Sequence, residues 1–187
     1  MSSPLNPDGF LKPITDYKEL IFYKKTVILY DMTFFFVNRY LERGDRTIDQ
    51  MVQAARSGKQ NIVEGLEDGM ASKEMAIKLL NVARGSLKEL QEDYEDQLRV
   101  HGLPIWTTAH PRSKALKDFC FAHNGVEQYA PYFERWSLEE FCNTALTLIH
   151  QADRGIFSYL KKLEAAFLTE GGIKEQMSAA RRRVRGY

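Results

Sequence analysis

The residues with the densest chemistry lie near the end of the sequence. Over residues 173–187, Lys174, Arg181, Arg182, Arg183 and Arg185 stand against one acid, Glu175, a local charge of +4. Arginine clusters neutralise phosphates and displace condensed counterions, so this segment predicts a nucleic-acid surface whose affinity falls steeply with salt. Several copies in one oligomer add through effective concentration. Arg56 and Lys59 are candidates to extend the patch, and Tyr187, close to Arg185, is a candidate to stack on a base. The bland alternative is a solubilising end without a ligand.

Other chemistries find less support. Di-iron bundles use Glu-x-x-His pairs on facing helices, and the sequence contains none. Cys120-x-x-His123 with Cys142 and His150 offers two sulfurs and two nitrogens to zinc. Buried thiols and surface histidines account for the same residues, so neither metal nor cofactor is expected. Gly171-Gly172 lacks the preceding strand and following Lys-Ser/Thr of a phosphate loop. Five acids between Glu89 and Asp96, with Tyr94 among them, read as a solvated helix face or as a receiver for a basic partner surface. With no catalytic constellation, the expectation is binding without catalysis.

Charge sharpens this. The 187 residues carry 26 basic and 25 acidic side chains, a formal +1 that argues at first against a polyanion partner. Removing the terminal segment leaves 21 basic against 24 acidic residues, so a mildly acidic body ends in a strongly basic tail. The 44% hydrophobic and 27% charged composition is that of one globular domain. Two cysteines are too few for a disulfide framework and suit a reducing cytoplasm. The N-terminus carries no secretory pattern, and the most apolar run, Val27 to Val37, is short and contains Asp31. A cytoplasmic protein without a membrane span is expected.

These residues need elements to hold them. No proline lies from 14 to 103 or from 132 to the end, so long helices belong there. After an N-terminal arm (1–15), a helix over about 16–43 is capped by Thr15 or Asp16 and ends at Gly44. Its stripe is Leu20, Tyr23, Val27, Tyr30, Phe34, Val37 and Leu41. Phe35 and Phe36 exceed what one core face needs, which predicts a subunit interface. Thr47-Ile48-Asp49-Gln50 reads as a capping box opening a helix over about 47–67. Ser72 caps a third over about 72–101. Residues 103–136 form an insertion with one short helix, about 112–123. Ser137-Leu138-Glu139-Glu140 opens a fourth helix over about 137–169, closed by Gly171. The tail, 171–187, is helical in its first half. The fold expected is all-α: an antiparallel up-down four-helix bundle with an insertion between helices 3 and 4 and a basic C-terminal extension.

Two segments carry a resemblance. One runs from Asp49 to Gly65 and includes Gln50, Ala54, Ser57, Asn61, Ile62, Glu64 and Gly65. The other runs from Leu79 to Leu90 and includes Ala83, Gly85, Ser86, Glu89 and Leu90. Together they resemble the bacterial four-helix-bundle family encoded by intervening sequences in 23S ribosomal RNA genes. The spacing matches Q-x-x-R-A-x-x-S-x-x-x-N-I-A-E-G and A-x-G-S-x-x-E-L without gaps, and Gln53 replaces the usual basic residue before Ala54. The likeness covers about 16–100 and, more weakly, 137–168. It implies a homo-oligomer, typically a pentamer, without enzymatic activity. It also implies similarity to the accessory protein of diversity-generating retroelements, which binds nucleic acid and a reverse transcriptase. The long insertion and the basic tail depart from the pattern.

Physically, Ala54, Ala55, Ser57, Gly58, Asn61 and Gly65 give helix 2 a small-residue surface, as Gly85 and Ser86 do for helix 3. Such surfaces let backbones approach, locking the two helices or forming a subunit contact. Asn61 is placed to bond a facing backbone group, and Glu64 to pair with Arg84 or Arg56. The expected function is an oligomeric bundle binding RNA or DNA through a multivalent basic surface, with a partner such as a reverse transcriptase. The alternative is a scaffolding homo-oligomer in which the tail docks on the acidic stretch of a neighbour.

Overall fold

A computed structural model describes residues 16–67 and 72–185; the expected N-terminal arm and Tyr187 lie outside the described residues. The described residues are all helical, without strands: α1 (Ile21–Tyr40), α2 (Arg46–Glu67), α3 (Lys73–Val100), α4 (Ser113–Ala122), α5 (Leu138–Glu170) and α6 (Ile173–Arg185). No helix among them is long and apolar enough to cross a membrane.

Local chemistry sets most boundaries. Ser72 accepts from the Met75 N–H at 3.2 Å and opens α3. Gly102, at φ +65°, turns its end, and the Leu103 N–H reaches Leu98 O at 2.8 Å. Ser137 and Glu140 form a reciprocal capping box at the start of α5. Two expectations shift. Asp45, not Thr47, caps α2, its carboxylate accepting the Thr47 N–H at 2.8 Å. That bond holds the Asp45 carboxyl below the usual aspartate range. α1 stops at Tyr40, short of Gly44, and Asp16 caps only a 3₁₀ turn, Tyr17–Glu19.

The four long helices pack pairwise, α1 on α2, α2 on α3, α3 on α5 and α5 on α1. Their directions follow from named contacts. Gly58 faces Leu87 while Gly65 faces Leu79 and Ala76, so α2 and α3 run antiparallel. Phe22 meets Tyr159 and Phe36 meets Phe141, which reverses α5 against α1. Lys73 Nζ donates to Ala166 O, while Arg84 pairs with Asp153, so α3 and α5 are reversed too.

α1 corrects the expected stripe. Of that set only Val37 is buried; Phe34 is 56% exposed, and the buried residues include Phe22, Lys25, Ile28, Leu29, Met32 and Phe36. The helix is apolar nearly all round, so periodicity selects no unique face. The insertion uses the surplus. Phe133 lies 5.3 Å from Phe35 and 5.7 Å from Phe141, ring centre to ring centre. Arg39 donates to Phe133 O at 2.6 Å and Tyr40 Oη to Trp136 O at 2.9 Å. Phe35 is therefore partly covered within the chain and Phe36 is buried, which leaves Phe34 as the exposed member of the run. At the insertion's start, the Trp106 indole donates to Glu139 at 2.6 Å while the Arg112 guanidinium lies over the ring.

Candidate nucleic-acid interface

α5 and α6 form the candidate surface. Gly171 closes α5 at φ +72°, a conformation glycine adopts without a Cβ penalty. The Gly172 N–H then donates to the Glu175 carboxylate, half of a capping box for α6. α6 continues to Arg185, beyond the expected first half of the tail. Lys174, Ser178, Arg181, Arg182 and Arg185 recur at helical spacing on one face and are exposed. Arg183 lies on the same helix. Among the described residues Lys174, Arg181, Arg182 and Arg185 pair with no carboxylate, and α6 packs substantially on no other helix. Glu175 near the N-terminus and arginines near the C-terminus also complement the helix dipole.

Three cations that sequence reasoning passed over precede α6 on α5. Arg154, Lys161 and Lys162 are exposed. Between them Phe157, 44% exposed, has Lys161 Nζ 4.6 Å and Arg84 Cζ 5.0 Å from its ring centroid. The Lys161-Lys162 pair is legible in the sequence, but the apolar stripe of α5 draws attention from it.

The other candidates separate. Arg56 is exposed on α2. A Cβ on Gly172 would lie 3.6 Å from Glu74, and Gly65 faces Ala76, so α6 starts at the α2–α3 end formed by those residues. Arg56 lies nine residues back from Gly65, about 14 Å along the helix. Lys59 is half-buried, its Nζ 4.3 Å from the Tyr30 ring. Burial raises the Asp31 carboxyl, and the nearby Lys59 charge works against that rise. Lys59 thus serves the α1–α2 contact.

The small-residue motif divides as well. Ala54, Ala55, Gly58 and Gly65 are buried on α2. Ser57 bonds Ser86 across the α2–α3 contact at 2.9 Å. Asn61 bonds its own helix, donating to Ser57 O at 2.9 Å, and not a facing backbone. Glu64 is exposed, and Arg84 pairs with Asp153 at 2.6 Å in place of Glu64 or any acid on α2. Gln50 is exposed, and Gly85 is exposed with open space where a Cβ would stand.

Gly155, which no motif marked, is the tight approach: a Cβ there would come 2.7 Å from Phe22 Cβ. Gly155→Ala is therefore expected to lose about 1–3 kcal/mol through forced helix separation. Gly85→Ala is expected to gain about 0.5–1 kcal/mol from helix propensity. Urea midpoints of the two variants should move in opposite directions.

Among the described residues no group of three or more His, Cys, Asp or Glu side chains is arranged to hold a metal. Cys120 and Cys142 are buried free thiols; burial pushes the first up to about 11 and the second to about 12. His123 Nδ1 sits 2.8 Å from Phe119 O, and His150 is exposed. No family model, curated protein or solved structure matches the chain.

Proposed function

We propose that this chain is a non-enzymatic, oligomeric, antiparallel up-down four-helix bundle that binds RNA or DNA through the basic face of α6. Within this reading it belongs with the 23S intervening-sequence bundles and serves as an accessory to a nucleic-acid enzyme such as a reverse transcriptase. The observation that carries the binding is α6: four exposed cations on one face of a helix without substantial packing on the others. Lys161, Lys162 and Arg154 are further exposed cations, on α5. Phosphate contact of this kind gives affinity without sequence preference.

The test titrates labelled single-stranded and hairpin RNA and DNA with the full chain and with Arg181→Ala/Arg182→Ala/Arg183→Ala/Arg185→Ala. The variant is expected to bind about 100-fold more weakly at low salt, and its salt slope to fall by about 3. Because α6 makes little contact with the other helices, the variant's circular dichroism and melting should match the wild type. Equal binding by both chains overturns the reading.

A further inference from the structure

On the outer side of the α2–α3 contact a shallow groove of about 610 Å³ is lined by Asp49, Gln50, Gln53, Ala54, Ser57, Ser86 and Glu89. Its floor is small: Ala54 and Ser86 are buried, and the Ser57–Ser86 hydroxyl pair leaves nothing tall between the helices. Its rim is acidic. Beyond Glu89, the residues Glu92, Asp93 and Asp96 follow on the same face of α3, at spacings of three and four, with Asp96 paired to Arg99 at 2.8 Å. Desolvation, then Asp96, Glu89 and Glu92, pushes the Asp93 carboxyl up to about 6, so like charges crowd there.

We infer that this groove receives α6 of a second copy of this chain, with Arg181, Arg182 and Arg185 on the Asp49 and Glu89 rim. Two complementary features sit on one chain: a narrow-floored groove with carboxylates on both sides, and a basic helix with little packing on the other described helices. A floor of alanine and serine lets a helix backbone approach closely. Met177 and Ala180 stand three residues apart beside the arginine face, which gives that helix an apolar edge for such a floor. Charge complementarity selects the basic helix over an acidic or neutral one. Reciprocal exchange places two such contacts in one symmetric dimer. The contact does not depend on nucleic-acid binding, although both use α6.

A charge swap tests it in nuclease-treated protein at about 20 µM and low salt, by sedimentation velocity. The wild type is expected to sediment as a dimer or larger and to dissociate as salt rises to about 0.5 M. Arg181→Glu/Arg182→Glu/Arg185→Glu and Asp49→Lys/Glu89→Lys should each sediment as monomers, with association weakened at least about tenfold. Mixed, the two variants should associate again, since each supplies a tail complementary to the other's groove. Asp49→Asn/Glu89→Gln repeats the groove arm should the reversal impair folding, and circular dichroism reports that. A monomeric wild type, variants that assemble like it, or a mixture that stays monomeric overturns the contact. A monomeric wild type that still binds RNA overturns the contact and the oligomeric part of the proposed function, while leaving its nucleic-acid binding standing.

Discussion

Phe141→Ala is expected to lower unfolding free energy by about 4 kcal/mol, the largest effect of any single truncation in this core. Phe141 is fully buried, and its ring meets Phe36 at 5.5 Å, Phe133 at 5.7 Å, Trp136 at 5.8 Å, Phe35 at 6.0 Å and Tyr40 at 6.1 Å. Those partners come from α1 and from the segment joining α4 to α5, so one ring ties the insertion to two long helices. Truncation removes transfer free energy, leaves a cavity and abolishes edge and stacking contacts worth about 0.5–1.5 kcal/mol each. Urea unfolding measures the loss, and the near-ultraviolet signal of Trp136 should weaken before the far-ultraviolet helix signal. Phe34→Ala, at a 56% exposed position on α1, should change stability by no more than about 0.5 kcal/mol. A loss below about 1.5 kcal/mol for Phe141→Ala would show that the insertion does not depend on this ring.

The contrast between Phe34 and Phe141 also marks what sequence could and could not show. Ser72, Ser137 and Gly171 sit where capping chemistry places them, because a cap is a local transaction between neighbours in the chain. α3 is legible for a related reason: Ala76, Ala83, Leu87, Leu90, Tyr94 and Leu98 form one buried stripe, although Met75, expected in that stripe, is exposed, as are Val82 and Val100. α1 is not, since it buries residues against both the long helices and the insertion, and an all-round apolar helix carries no phase. The insertion's route over Phe35 is a non-local outcome that no periodicity encodes.

The candidate site follows the same division. The arginines of α6 are legible because charge density is a property of the segment itself. The groove is not, since Asp49, Gln53 and Ser57 meet Ser86 and Glu89 only once α2 and α3 have paired in register. Gly85 and Gly155 show the limit most sharply. Both are glycines inside helices, and only the structure distinguishes open space from a 2.7 Å approach.

Lys25 supplies the second large expectation. It is 1% exposed on α1, and its ammonium donates to Cys120 O and, at 2.7 Å, to His123 O, carbonyls at the C-terminal end of α4. Tyr129 Oη donates to His123 O at 2.9 Å. A cation on the last carbonyls of a helix is favourable, yet desolvation pulls the amine down from 10.5 to about 8, against a smaller opposing influence of Cys120. An unfolded lysine holds its proton to near 10.5, so between pH 8 and 10.5 the unfolded chain binds more protons. This group's contribution to stability therefore rises with pH across that window and is lost as pH falls through 8, by about 3 kcal/mol in full. Lys25→Met keeps the volume but strips the donors from Cys120 O, and should lose about 2 kcal/mol at pH 7. The deficit should widen towards about 5 kcal/mol at pH 10, where the wild-type amine still donates without carrying a charge. Cys120 is coupled to Lys25, whose charge lowers its thiol, but burial holds that thiol up at about 11, above the two pH values compared. Paired urea titrations at pH 7 and pH 10 measure it; a gap that stays constant or narrows would mean that the buried amine is not depressed. Hydrogen exchange locates the damage: α4 amides should lose protection while those of α2 and α3 keep theirs, because Lys25 pins the insertion and not the helix pair.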